Sequence, residues 1–472
     1  MEDGMSGRDY GISRRRFLGT SVAAVVGTAA IGEIDKSRTF AQAEPNHVKL
    51  PLFPSLEAIK PAGTLDEGYW WKVRSHFNIV DHMTFMNNGT EGPSPSIVVA
   101  ETQRMVREIA EDPSNNYRTA EVDLVREKVA AFVGASPDEI VLTRSTSEGM
   151  NIFANGLDWK AGDEVLMNNH EHGGGIGPYR TLEKRYGIKI VTLDVSPLSP
   201  FQSIEQIVEL YAKAITPRTK VLMVSHIPYV TGTIMPVKEL ADLAHGRGIL
   251  ISVDGAHPLG MLELNLKALG VDHYAAAGQK WMLSGTGNGV CYIKREIQDR
   301  VWPIMGPPGE PEKDKPEKGA RKYEGGMGQR NVPSVFGLSA AIDFMGAIGL
   351  KNVEMRDRAL SDRLRQGLAQ IPGVKVFTPS DPKLSAGLTL FGIKEVPMNN
   401  VQKAIFEHSR VWIRTMSTGN LNACRAATHI YNFPHEVDRL LDSVRYVAQN
   451  SSKFMTPTSA ALYSSQIEAM MG

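Results

Sequence analysis

Seven short apolar runs recur between residues 140 and 294, at 140–143, 165–168, 189–193, 221–225, 249–254, 274–277 and 290–293, with amphipathic stretches between them. Within each run the hydrophobicity is continuous rather than alternating, which predicts strands buried on both faces. Strands of that kind, alternating with helices, predict an α/β fold with a mostly parallel seven-stranded sheet covered by helices. Ligands in such sheets bind beyond the carboxyl ends of the strands, so the polar residues that follow each run are the candidate functional positions.

Past this region the pattern changes. Gly306-Pro307-Pro308-Gly309 opens a Lys-, Glu- and Pro-rich stretch to Lys318 that cannot bury apolar surface and reads as an exposed loop. Helical periodicity resumes over 335–369, followed by strand-like segments at 374–377 and 426–430 and a helix at 435–447, a second and smaller α+β domain. The expected division is an N-terminal arm at 44–80, a large domain at 81–330, a small domain at 331–450 and a tail at 451–472.

Residues 1–43 read differently. Ser13-Arg14-Arg15-Arg16-Phe17-Leu18 precedes a Gly- and Ala-rich apolar stretch, and Ala41-Gln42-Ala43 supplies an A-x-A cleavage site. The stretch is too short and too weakly apolar to span a bilayer, so it predicts a twin-arginine export signal, with the twin-arginine translocase as a transient partner and a periplasmic or extracellular mature protein. No membrane association is expected after cleavage.

Composition adds exclusions. At 472 residues, 42% hydrophobic and 22% charged, the chain suits two domains. Its 52 basic and 52 acidic residues cancel, which gives no electrostatic case for nucleic acid or an anionic membrane. Cys291 and Cys424 are too few for a disulfide framework, and both are expected in the core, with a single bridge between them left open.

Chemistry concentrates where two of the runs end. Val253-Asp254-Gly255-Ala256-His257 closes one, and Ala277-Gly278-Gln279-Lys280-Trp281 closes the next. A lysine that can hold an aldehyde and then move protons, with a carboxylate that keeps a pyridine nitrogen protonated, is what pyridoxal 5′-phosphate (PLP) chemistry requires. Alone, the Asp would read as a cap and the Lys as a surface residue. Thr143-Arg144-Ser145-Thr146-Ser147-Glu148-Gly149 places backbone N–H groups and hydroxyls at a helix N-terminus, either a phosphate cradle or a plain capping box of Ser145 with Glu148. Asn169-His170-Glu171-His172 ends another run. Its two histidines lack the i, i+4 spacing of a zinc helix and a third ligand, so no metal is expected.

These segments resemble the class V aminotransferase family of PLP enzymes, fold type I, and within it the isopenicillin N epimerase-like branch, over about residues 80–450. The family patterns D-G-A-H and G-H-K-W match at 254–257 and 278–281, with Gln279 where the family has His. The resemblance implies Lys280 as the Schiff-base lysine, Asp254 on the pyridinium nitrogen, His257 near the cofactor's phenolic oxygen, and Thr146, Ser147 and Gln279 on its phosphate. It implies His172 stacked over the cofactor ring; in Ser225-His226-Ile227-Pro228-Tyr229-Val230-Thr231-Gly232, Tyr229 stands where cysteine desulfurases carry Asn, and its hydroxyl either reaches the phenolic oxygen or packs in the core. Arg425, in Cys424-Arg425-Ala426-Ala427-Thr428-His429-Ile430-Tyr431-Asn432, is then the clamp for a substrate α-carboxylate. Gln329 stands where relatives carry a threonine that reaches the phosphate of a neighbouring subunit. A homodimer with sites near the subunit interface is implied.

The expected substrate is a small amino-acid-like molecule. A cysteine desulfurase needs a nucleophilic cysteine about fifteen residues before the carboxylate-binding arginine; residues 409–422 contain none, so desulfuration is not expected. Aminotransferase-like tailoring is the first reading, with epimerisation and carbon–sulfur lysis as alternatives. A non-catalytic PLP-fold binding protein is the alternative of another class.

Overall fold

All seven apolar runs become strands of one sheet in the computed structural model, which describes residues 54–61, 66–305, 319–324 and 328–456. The expected export signal, the loop opening at Gly306 and most of the tail lie outside the described residues. The strands are β1 (Ile140–Thr143), β2 (Glu164–Asn168), β3 (Lys189–Leu193), β4 (Thr219–Ser225), β5 (Leu250–Asp254), β6 (His273–Ala277) and β7 (Gly289–Ile293). They lie in the order β1-β7-β6-β5-β4-β2-β3. From β6 to β3 every neighbour is parallel, whereas β7 is antiparallel to both β6 and β1.

Continuous apolar runs produce this because successive side chains feed two separate cores. On β4, Val221 and Met223 pack with Phe153, Tyr179 and Leu182 on one face. Leu222 and Val224 pack with Ile207, Leu240 and Ala244 on the other. The expectation of full burial fails at β3, where Lys189 and Thr192 are exposed, because that strand forms the sheet edge.

The helices that position the site are α1 (Ser96–Glu111), α2 (Thr146–Gly156), α3 (Gly173–Tyr186), α4 (Val332–Ile348), α5 (Leu350–Ala369), α6 (Met398–Ser409) and α7 (Pro434–Gln449). The periodic stretch expected at 335–369 is two helices, α4 and α5, bent by 77° where Gly349 takes a φ of 86°. That conformation is open to glycine and strained for other residues. No single helix among the described residues is long and apolar enough to cross a membrane.

A second sheet is antiparallel, with β8 (Val374–Val376), β9 (Leu388–Ile393), β10 (Arg414–Met416) and β11 (Ala423–Ala427) in the order β10-β11-β9-β8. The expected strand at 426–430 begins and ends earlier. After Ala427 the backbone leaves the ladder, and the His429 N–H donates to the Asn432 side chain at 3.0 Å instead of to a strand. Strands β9 and β10 were not anticipated. The segment Thr84–Phe85 pairs with Val411–Trp412, and Asn87 bridges to Ala427, which lays residues 84–90 beside the end of β11. Cys291 on β7 and Cys424 on β11 are both buried and unbridged.

Candidate active site

The residues singled out from the sequence converge at the carboxyl ends of the parallel strands, as the topology requires. Strand β1 leads to Thr146 and Ser147, β2 to His172, β4 to Tyr229, β5 to Asp254 and His257, and β6 to Gln279 and Lys280.

Lys280 is partly exposed at the centre of this group. Burial brings its ammonium down to about 8, against the opposing pull of Asp254. Asp254 is buried and accepts a hydrogen bond from the Ala256 N–H at 3.0 Å. Burial pushes its carboxyl up, while the Lys280 charge pulls it back. The Trp281 indole N–H donates to His257 Nδ1 at 3.0 Å. That bond leaves the ring proton on Nε2, a buried donor with no partner among the described residues. His172 caps α3, its Nδ1 accepting from the Gly174 N–H at 3.1 Å, and its ring meets Tyr229 edge-on at 5.0 Å. Burial lowers its pKa first, and the Lys280 charge adds to this.

At the start of α2 the Ser145 hydroxyl accepts from the Glu148 N–H at 3.2 Å, so the capping bond exists. It leaves Thr146 free: Thr146 Oγ1 is buried without a partner among the described residues, as is the carboxamide oxygen of Gln279. A helix N-terminus with an unengaged hydroxyl suits a phosphate. The three glycines after His172 do not simply open space. A Cβ on Gly174 would collide with the Ser147 hydroxyl, and one on Gly175 would lie 2.5 Å from Met223 Cε and 3.1 Å from Asp254 Oδ2. Glycine there lets α3 close against the groups it serves, and only Gly173 and Gly177 of that helix's first turns face open space. The Asp254 carboxyl, the His257 Nε2–H without a partner among the described residues, the Thr146 hydroxyl and the Lys280 amine together fit PLP: a pyridine nitrogen, a phenolic oxygen, a phosphate and an aldehyde.

Arg425 lies on β11 with none of its surface exposed. The other buried arginines each face an acid: Arg126 with Glu324, Arg356 with Glu67 and Arg365 with Asp362. Arg425 donates instead to the Tyr229 carbonyl at 2.7 Å, Asn87 Oδ1 at 3.2 Å and Thr90 Oγ1 at 3.1 Å, and its Nε has no partner among the described residues. Burial, with Arg414 next, pulls it down to about 9. Neutral acceptors do not balance a buried guanidinium, so its charge stands without an acid among the described residues.

One expectation meets a different arrangement. The Tyr229 hydroxyl is 2.5 Å from Thr418 Oγ1, a bond that competes with any reach toward a cofactor oxygen. Gln329, whose counterpart in relatives serves a neighbouring subunit's site, accepts from the Asn116 amide at 2.6 Å and lines, with Thr143 and Arg144, a small cavity beside β1. His170 is buried against Ser196, and no cluster of metal-ligating side chains occurs among the described residues.

Sequence reasoning missed Glu171, Trp281, Asn87, Thr90 and Arg414. Glu171, buried and pushed up to about 8 by that burial, accepts from the Ser225 N–H at 2.8 Å and its hydroxyl at 2.5 Å, tying the ends of β2 and β4 together. Its signal was present, an acid inside a motif read for its histidines. Asn87 and Thr90 carried none, since only the fold brings them to β11.

The model of the family described as Aminotransferase class-V matches residues 97–440. A probable cysteine desulfurase from Methanothermobacter thermautotrophicus is 30% identical over 351 residues, covering 70% of this chain and 84% of that protein. An isopenicillin N epimerase from Streptomyces clavuligerus is 26% identical over 391 residues, covering 79% and 97%. Among solved structures, the cystine C–S lyase C-DES in complex with its product, cysteine persulfide, superposes with a TM-score of 0.69 at 26% identity, covering 77% of this chain and 98% of that one.

Proposed function

The chain belongs to the class V aminotransferase family, with PLP as its cofactor, and from that premise we propose that it is an exported, homodimeric enzyme that works at the α-carbon of an amino-acid substrate by aminotransferase-like chemistry. The observation that carries the reading is Arg425, buried without an acid among the described residues, in the group that contains Lys280 and Asp254. Export is supported by the twin-arginine segment and its A-x-A site.

The bound cofactor supplies an electron sink for the substrate's α-carbon. Lys280 would hold its aldehyde carbon, and Asp254 would hold a proton on its ring nitrogen. Thr146, Ser147 and the N–H groups that open α2 would hold the phosphate. Arg425 fixes the substrate by its α-carboxylate, which fixes where the α-hydrogen points. Lys280, with an ammonium pKa near 8, is neutral in a useful fraction near neutral pH and can take that proton and return it. His257, held by Trp281, keeps a buried Nε2–H to donate, and His172 packs edge-on against Tyr229.

Carbon–sulfur lysis is the second reading, favoured by the likeness to a cystine C–S lyase. A relay through a protein thiol does not suit the chain: residues 409–422 hold no cysteine, and burial pushes both Cys291 and Cys424 thiols up, far from thiolate character.

The test is the visible absorbance of the mature protein beside Lys280→Ala, before and after adding amino acids. The expected result is a band absent from the variant, which one amino acid bleaches with release of its keto acid and which an added keto acid restores. A band that persists while the substrate loses configuration means epimerisation, and release of sulfide with pyruvate means lysis. A wild-type protein that shows no band after incubation with PLP overturns the enzyme reading in favour of a binding protein.

A further inference from the structure

Arg414 is used by none of the roles described so far, yet it stands on β10 directly opposite Arg425 on β11, as its register partner in an antiparallel ladder. Opposed residues of such a pair project from the same face, and like charges placed there repel. Here they also converge on one atom: Thr90 Oγ1 accepts from Arg414 Nη1 at 2.8 Å and from Arg425 Nη2 at 3.1 Å. Thr90 donates in turn to Asn87 Oδ1 at 2.8 Å, so its hydroxyl is fully used and carries no negative charge to offer. No acidic side chain lies within 4.0 Å of either arginine among the described residues. Two guanidinium groups are therefore held together by neutral partners alone.

One guanidinium fork suffices for one carboxylate, because its parallel N–H groups meet both oxygens. A second unneutralised arginine beside it costs repulsion and desolvation that a singly charged ligand offsets only in part. The two arginines also differ in burial and partners. Arg425 is fully buried and also holds the Tyr229 carbonyl and Asn87 Oδ1, whereas Arg414 is half-buried and bonds Thr90.

We propose that Arg414 and Arg425 form a clamp for two anions, Arg425 taking the α-carboxylate and Arg414 an anionic group at the end of the side chain, so that the preferred substrates are acidic amino acids of the aspartate and glutamate type. The inference rests on the reading of Arg425 as the α-carboxylate clamp.

The experiment titrates the visible band of the cofactor-loaded protein with L-glutamate, L-glutamine, L-aspartate and L-asparagine. At least one acid binds about tenfold or more tightly than its amide in the wild type, and Arg414→Gln brings that ratio to about one. Arg425→Gln weakens acid and amide together. A second arm uses no amine: glutarate raises the midpoint of thermal unfolding more than butyrate does at equal concentration, and Arg414→Gln removes the difference. Equal binding of acid and amide by the wild type, or an Arg414→Gln variant that weakens both by the same factor, overturns the clamp. If no amino acid perturbs the band, the proposed function fails, and the glutarate arm then decides the clamp by itself.

Discussion

His429 Nε2 lies 3.0 Å from the carbonyl oxygen of Trp281, the residue after Lys280. On the other side of the ring, Nδ1 faces both carboxylate oxygens of Asp357, at 2.9 and 3.0 Å. A carbonyl only accepts, so Nε2 carries a proton, and a second proton is shared between Nδ1 and the acid. Both side chains are buried. Helix α5, which carries Asp357, is thereby tied to the turn that presents Lys280.

Removing the imidazole should therefore be costly. His429→Ala strands a buried carboxylate, with an expected loss of about 3–5 kcal/mol. It would be read as a lower denaturant midpoint at unchanged slope. Asp357→Asn retains an acceptor or donor for the ring and should lose less. Equal stability of His429→Ala and wild type would mean that the pair contributes nothing.

Loading of the cofactor should depend on pH through Lys280. Burial lowers its pKa from the ordinary lysine range to about 8, so the neutral amine, the form that attacks an aldehyde, predominates above that pH. The rate at which cofactor-free protein gains its visible band should climb with pH and reach half its maximum near 8. A rate still rising steeply above pH 9.5 would show an ordinary lysine.

Much of this was legible in the chain because the signals are local. A buried parallel strand writes itself as a continuous apolar run, and its carboxyl end then points to Asp254, His257 and Lys280. The small sheet was less legible: Leu388–Ile393 follows a turn-rich stretch, and Arg414–Met416 is only three residues long. Thr90, Asn87 and Arg414 were invisible for a different reason. Their meaning lies in contacts that span more than 300 positions, such as Arg414 with Thr90, and no periodicity encodes those.

Asp254→Asn separates holding the cofactor from using it. Lys280 remains, so the visible band should persist, while the neutral amide no longer keeps a proton on the ring nitrogen. A fall in kcat of about a hundredfold or more is expected, on the scale of losing one oriented electrostatic partner. A variant with a normal kcat would remove Asp254 from the mechanism.

Arg425→Gln should reduce kcat/KM through substrate recognition, by about 2–5 kcal/mol, the usual cost of breaking a buried charge-assisted contact. The sharper measurement compares an amino acid with its methyl ester. Wild-type protein should prefer the free acid strongly and the variant should not. A preference that survives the substitution would place the carboxylate elsewhere.

The glycines after His172 allow a test of how tightly the site is built. Gly175→Ala puts a methyl group 2.5 Å from Met223 Cε and 3.1 Å from Asp254 Oδ2, so the Met223 methyl must swing aside and α3 or Asp254 must give by a few tenths of an ångström. Overpacking of this kind costs about 1–3 kcal/mol, and a displaced Asp254 should also weaken PLP binding. Gly173→Ala meets nothing within 4 Å and lies in the first turn of the same helix, where alanine is the better helix former. Thermal unfolding and PLP titration of the two variants should diverge, with Gly175→Ala losing both stability and affinity and Gly173→Ala keeping both. If the two behave alike, the close approach of α3 to Asp254 is not what the glycines are for.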